Sequence, residues 1–132
     1  MQLSNFLRTI LKLDAASCLG MAAIVLPTAA ALEHPLGVDA AVLTASAASL
    51  IALGLFILWL GTRREAAPAL VWLVIVGNFG WTAASLMAAA GLPGITPLGQ
   101  AAIAGHGLAV LAIALAEYAG LRSSQRASWK AA

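Results

Sequence analysis

Charge is what this 132-residue sequence has least of. Asp, Glu, Lys and Arg make up only 9% of it, whereas a soluble domain has about a quarter of its residues charged. The chain therefore has too few charged side chains to clothe a globule in water. Cysteine occurs once, at Cys18, which excludes an intrachain disulfide and any multi-cysteine metal centre. Histidine occurs only at His34 and His106, and no nucleophile–base pair or cluster of metal ligands accompanies them. Catalysis thus has no constellation to rest on, and neither a metal nor another cofactor is expected. A net charge of +2 is too small to point to nucleic acid.

What the chain has is apolar length. Hydrophobic residues make up 62% of it and its mean hydropathy is +0.96. A membrane-spanning helix needs roughly 20 apolar residues, and four such stretches emerge, at about 14–32, 40–61, 67–90 and 97–121. Their punctuation is that of helix ends. Asp39 is placed to cap the second span, Gly91 and Pro93 stop the third, and Thr96-Pro97 supplies a cap followed by proline at the first helical position. Short connections make consecutive helices antiparallel neighbours. The expected fold is all-α, a polytopic up-down-up-down four-helix transmembrane bundle forming a single membrane domain.

The seven basic residues orient it. Arg8 and Lys12 precede the first span, Arg63 and Arg64 separate the second from the third, and Arg122, Arg126 and Lys130 follow the fourth. All lie on one side of a four-span threading, so the positive-inside rule places both termini, and a tail at 122–132, in the cytoplasm of a bacterial inner membrane. Trp59, Trp72 and Tyr118 lie near the same ends, where aromatic rings anchor at headgroup level. Residues 3–13 are amphipathic, with Leu3, Phe6, Leu7, Ile10 and Leu11 on one face. They read either as a helix lying along the inner surface or as a plain extension of the first span. A cleavable signal sequence ending near "AAALEH" was weighed against the same stretch; Asp14 ahead of the apolar run and Pro27 beside the cut speak against it.

The polar residues inside the spans carry whatever function is legible. Asn78, Thr82 and Ser85 share one face of the third helix at i, i+4 and i+7. His106 and Glu117 are eleven positions apart, nearly three turns, so they point within about 20° of each other across about 16 Å of rise. Asn78 stands about 15 Å above the start of its span, near the depth of His106, and the two are expected to meet, directly or through water, with Trp81 walling the place. This buried polar cluster of Asn78, Thr82, Ser85, His106 and Trp81 reads as interhelical bonding or as a small ligand pocket. Asp14 and Glu117 read as cytoplasmic-interface charges near Arg63, Arg64 and Arg122. Ala101, Gly105, Ala109, Ala112, Ala116 and Gly120 fall within an arc of about 100° and are expected to form the face on which the fourth helix packs.

The stretches "LKLDAASCLG", "ALVWLVIVGNFGWTAASL", "GLPGITPLGQA" and "AEYAGLR" resemble a group of small uncharacterised four-helix bacterial inner-membrane proteins. The resemblance covers most of the chain, is weakest over 33–61, and implies the fold without an activity. Three functions compete. The first is a non-enzymatic bundle that associates with itself or with another membrane protein through small-residue faces. The second is a proton-coupled small-solute transporter, for which Asp14 supplies an acid in the first helix but stands near the membrane edge. The third is a haem- or quinone-binding subunit resting on His106 alone.

Overall fold

A computed structural model describes residues 1–131, with side chains through Trp129; the Lys130 side chain lies outside them. Four helices make up the chain: α1 (Asn5–Leu36), α2 (Ala40–Thr62), α3 (Pro68–Gly91) and α4 (Pro97–Ala131). All four are long and apolar enough to cross a membrane. The Asp39 carboxylate caps α2 by accepting from Ala41 N at 2.7 Å, and the Thr96 hydroxyl caps α4 by accepting from Gly99 N at 3.0 Å.

α1 packs along α2 and α4, and α4 packs on α3, while α2 and α3 scarcely touch. The order of neighbours is therefore α2, α1, α4, α3, and the outer two face each other across a cleft. One end of the bundle is tied by Leu3 N donating to Arg64 O at 2.8 Å, Ala66 N donating to Met1 O at 3.1 Å and Ser4 N donating to the Ser124 hydroxyl at 3.0 Å. The other end is tied by Thr96 N donating to Leu36 O at 3.0 Å and the Thr96 hydroxyl donating to Pro35 O at 2.6 Å. Large apolar side chains such as Leu55, Leu73, Val76 and Leu115 remain exposed on the outside, as lipid-facing residues are.

Of the two readings of the N-terminal segment the extension holds: residues 5–13 are the first turns of α1, which runs unbroken through Asp14. Leu3, Leu7 and Leu11 belong to the buried core, because their apolar face meets α2 and α4 rather than lipid headgroups. At the other terminus α4 continues through 122–131 as helix.

The expected packing face of α4 needs correction. Ala101, Gly105, Ala109 and Ala112 are exposed, Ala116 is half-buried, and only Gly120 is buried. The helix instead packs on Gly107, Val110, Ala114, Glu117, Leu121 and Ser124, a stripe centred about 130° away at 100° per residue. Small size permits close approach but does not demand it. Glu117 and Ser124 do demand cover, because a polar group left facing lipid is costly.

Gly107 marks the closest approach of α3 and α4: a Cβ there would stand 2.9 Å from Ser85 Cβ. Gly107→Ala is expected to cost about 1–3 kcal/mol by overpacking. Ser85→Gly in the same chain should recover part of that loss, since it removes the colliding atom. Denaturation of the four members of this cycle in mixed micelles measures the coupling.

Candidate functional site

Each of three helices turns one stripe inward, and each stripe carries one polar residue at the same level. On α1, Leu7, Leu11, Asp14 and Cys18 follow one another at three- and four-residue steps. Asn78 lies on α3 between Val74 and Thr82, and Glu117 lies on α4 between Ala114 and Leu121; all of these residues are buried. Helical periodicity alone therefore aims Asp14, Asn78 and Glu117 at the bundle axis.

There they meet. Asn78 Nδ2 donates to Asp14 Oδ2 at 2.9 Å and to Glu117 Oε2 at 3.1 Å, so one amide uses both of its N–H bonds on two carboxyls from different helices. One amide nitrogen therefore holds the two carboxyls as close neighbours. Were both ionised, they would face each other as like charges and repel. Asp14 is 1% exposed and Glu117 0%. The Cys18 thiol donates weakly to Asp14 Oδ1 at 3.9 Å, while Glu117 Oε1 is buried without a hydrogen-bond partner.

Among the described residues neither acid pairs with an arginine. Arg63 stacks over the Trp59 ring at 4.8 Å, Arg122 donates to the Tyr118 hydroxyl at 3.0 Å, and Arg64 meets α1 through its carbonyl. Measured from the Ser4–Ser124 contact, Asp14 is ten residues along α1, or about 15 Å, and Glu117 seven residues back along α4, or about 10 Å. Since α2 has 23 residues, about 35 Å of rise, the pair sits between about a quarter and a half of the way through the bundle.

Asn78 and His106 share a cavity wall but form no direct hydrogen bond among the described residues. Carboxylate oxygens are stronger acceptors than an imidazole nitrogen, and they take both amide protons. His106 is one turn farther along and finds Trp81 instead: Trp81 Nε1 donates to His106 Nδ1 at 3.4 Å, with the rings edge-to-face at 80°. Thr82 donates to Gly107 O at 3.1 Å, and the Ser85 side chain stands against Gly107.

Above this cluster lies the cleft between α2 and α3. A cavity of about 200 Å³ opens there, lined by Cys18 and Asn78 on the floor, Phe56 and Ile57 on one side, and Trp81 and His106 on the other. Leu50, Trp81 and His106 also line an apolar groove of about 500 Å³ that continues along Met21, Val42 and Ala88. The floor residues Asn78 and Cys18 are the same two that bond Asp14, so the cavity and the carboxyl pair share a wall. No protein-family model, curated protein or solved structure matches this chain.

Proposed function

We propose that the protein is a proton-coupled carrier of a small solute, a non-enzymatic up-down-up-down bundle of the bacterial inner membrane with both termini in the cytoplasm. The observation that carries this reading is the convergence of Asp14 and Glu117 on Asn78, with no arginine hydrogen-bonded to either acid among the described residues. Ionisable groups inside a bilayer are costly, and they mark ion and proton paths by default. Helix packing alone would be served as well by neutral amides or by apolar residues.

The coupling runs through Asn78. With a proton between the carboxyls, α1 and α4 are held together and the Asn78 amide is fixed on both. Without it two like charges face each other at short range and repel. The amide must then shift, and its other side is the floor of the cavity. Proton occupancy on one side of this wall thereby sets the shape offered to a solute on the other. The orientation rests on the basic residues: Arg63, Arg64 and Arg122 lie at the end of the bundle that holds residues 1–4, which the positive-inside rule puts in the cytoplasm.

Infrared spectra of the protein in lipid vesicles test the reading. Wild type is expected to show a carboxyl band from the two buried acids, apart from that of the exposed Glu33, Asp39 and Glu65, that changes with pH, and Asp14→Asn and Glu117→Gln should each alter that change while the helical circular dichroism stays intact. Spectra that the two substitutions leave untouched would overturn it. A second reading, association with another copy or a membrane partner, is favoured by the outward placement of Ala101, Gly105, Ala109 and Ala112. A Cβ on Gly105 would meet nothing within 4 Å, so a neighbouring helix has room to approach.

A further inference from the structure

The groups lining the cavity specify a ligand more closely than its volume does. Trp81 Nε1–H is a donor only, so His106 Nδ1 must accept from it, and the proton of the neutral imidazole sits on Nε2. Among the described residues Nε2–H has no partner, and His106 lines both the cavity and the groove. It offers one unused donor. Asn78 spends both N–H bonds on the carboxyls yet lines the cavity, so its Oδ1 is the atom it has left to offer, an acceptor. Asn78 precedes Trp81, the partner of His106, by three residues, about 4.5 Å of rise. The acceptor and the donor therefore face the cavity about one turn apart along α3.

Apart from the Ser17 hydroxyl and the Cys18 thiol the remaining surface is apolar and aromatic, and among the described residues no Asp, Glu, Lys or Arg lines the cavity. The acids lie behind Asn78 and Cys18. A charged ligand would leave water here without a counter-charge to meet it. A cavity of about 200 Å³ suits a single substituted ring, since a void of about 150 Å³ holds benzene. The groove leading from it is apolar and lies between helices that scarcely touch, so lipid chains and lipid-soluble molecules have a lateral way in.

We infer that the α2–α3 cleft binds a neutral, lipid-soluble phenol with an acceptor at the opposite end of its ring. The phenol hydroxyl donates to Asn78 Oδ1, the opposite acceptor receives His106 Nε2–H, and an apolar tail lies in the groove. This deepens the carrier reading by naming the class of its solute, but the two fail separately because binding is measured without any proton movement.

Octyl 4-hydroxybenzoate carries the required donor, acceptor and tail on one ring. Binding to the full chain in nanodiscs, followed by equilibrium dialysis against empty nanodiscs, is expected to saturate at one molecule per chain. His106→Phe should weaken it about tenfold, the equivalent of one hydrogen bond of about 1.4 kcal/mol, while His106→Gln, which keeps a donor, should retain affinity within a few-fold. The methoxy analogue of the probe, lacking the hydroxyl, should also bind about tenfold more weakly to wild type. Leu108→Ala, on an exposed part of α4, should change nothing. Partitioning equal to that of empty nanodiscs, affinity equal in wild type and His106→Phe, or displacement of the probe by tetraphenylphosphonium would each overturn the inference. A carboxyl band that titrates without saturable probe binding sinks the solute class and spares the carrier.

Discussion

Asn78→Leu is expected to destabilise the bundle by about 3 kcal/mol, read as a lower unfolding midpoint in mixed micelles. The substitution nearly conserves volume, so little of this is cavity formation. What it removes is, among the described residues, the only donor that bridges α1, α3 and α4. A hydrogen bond to a charged group is worth roughly 1.5–3 kcal/mol in water-soluble proteins, while interhelical bonds in membranes average nearer 0.6. Two such bonds are lost here, and Glu117, whose Oε1 is already unpartnered, is left with no amide donor at all. Its carboxyl is 0% exposed, so water does not rescue it. The informative companion is the triple variant Asp14→Leu, Asn78→Leu, Glu117→Leu. Replacing a whole buried polar cluster by apolar residues is often neutral or stabilising, and the triple variant should unfold at or above the wild-type midpoint while losing the titrating carboxyl band. Stability recovered with titration lost would show that the acids are kept for their proton. A loss below about 1 kcal/mol for Asn78→Leu would mean that the amide does not hold the helices together.

The sequence made the helices easy to read and their rotations hard. Apolar run length, Asp39 and Thr96-Pro97 mark the starts of α2 and α4 because a cap is a local event, settled within one turn. Asp14 misled because hydropathy treats an acid as the edge of a span. In the fold its partners come from α3, 64 positions away, and from α4, and no local pattern announces them. Taking Leu121 as the end of the span puts Glu117 near its edge, but the helix runs on to Ala131, and the level of Glu117 relative to α1 is set by Ser124 meeting Ser4. One signal was available. Asp14 continues the Leu7–Leu11–Cys18 stripe and Glu117 continues the Val110–Ala114–Leu121 stripe, so each acid sits where an apolar core residue belongs. Small residues proved the weaker guide, because on α4 they line the face that the bundle leaves uncovered.

Gly37→Ala is the second substitution expected to be severe, at about 4 kcal/mol, and Gly94→Ala is its control. Both glycines are left-handed, with φ of +67° and +79°, a conformation that costs an L-residue roughly 1–2 kcal/mol. Gly94 has open space where a Cβ would go, so its substitution should cost about that much and no more. At Gly37 the Cβ would run into the Gly94 carbonyl and stand 2.9 Å from Thr96 N. These are backbone atoms that cannot swing aside as a side chain would. Moving them strains the bonds from Thr96 N to Leu36 O and from the Thr96 hydroxyl to Pro35 O, which join the end of α1 to the start of α4. That joint has a functional side. Asp14 and Glu117 are carried by those same two helices, and their contact requires α1 and α4 to keep their relative height. Gly37→Ala should therefore perturb the carboxyl band as well as the unfolding midpoint, whereas Gly94→Ala should lower the midpoint slightly and leave the band alone. Equal losses from the two substitutions would mean that backbone conformation, and not the packing of α1 against the α4 cap, is all that Gly37 supplies.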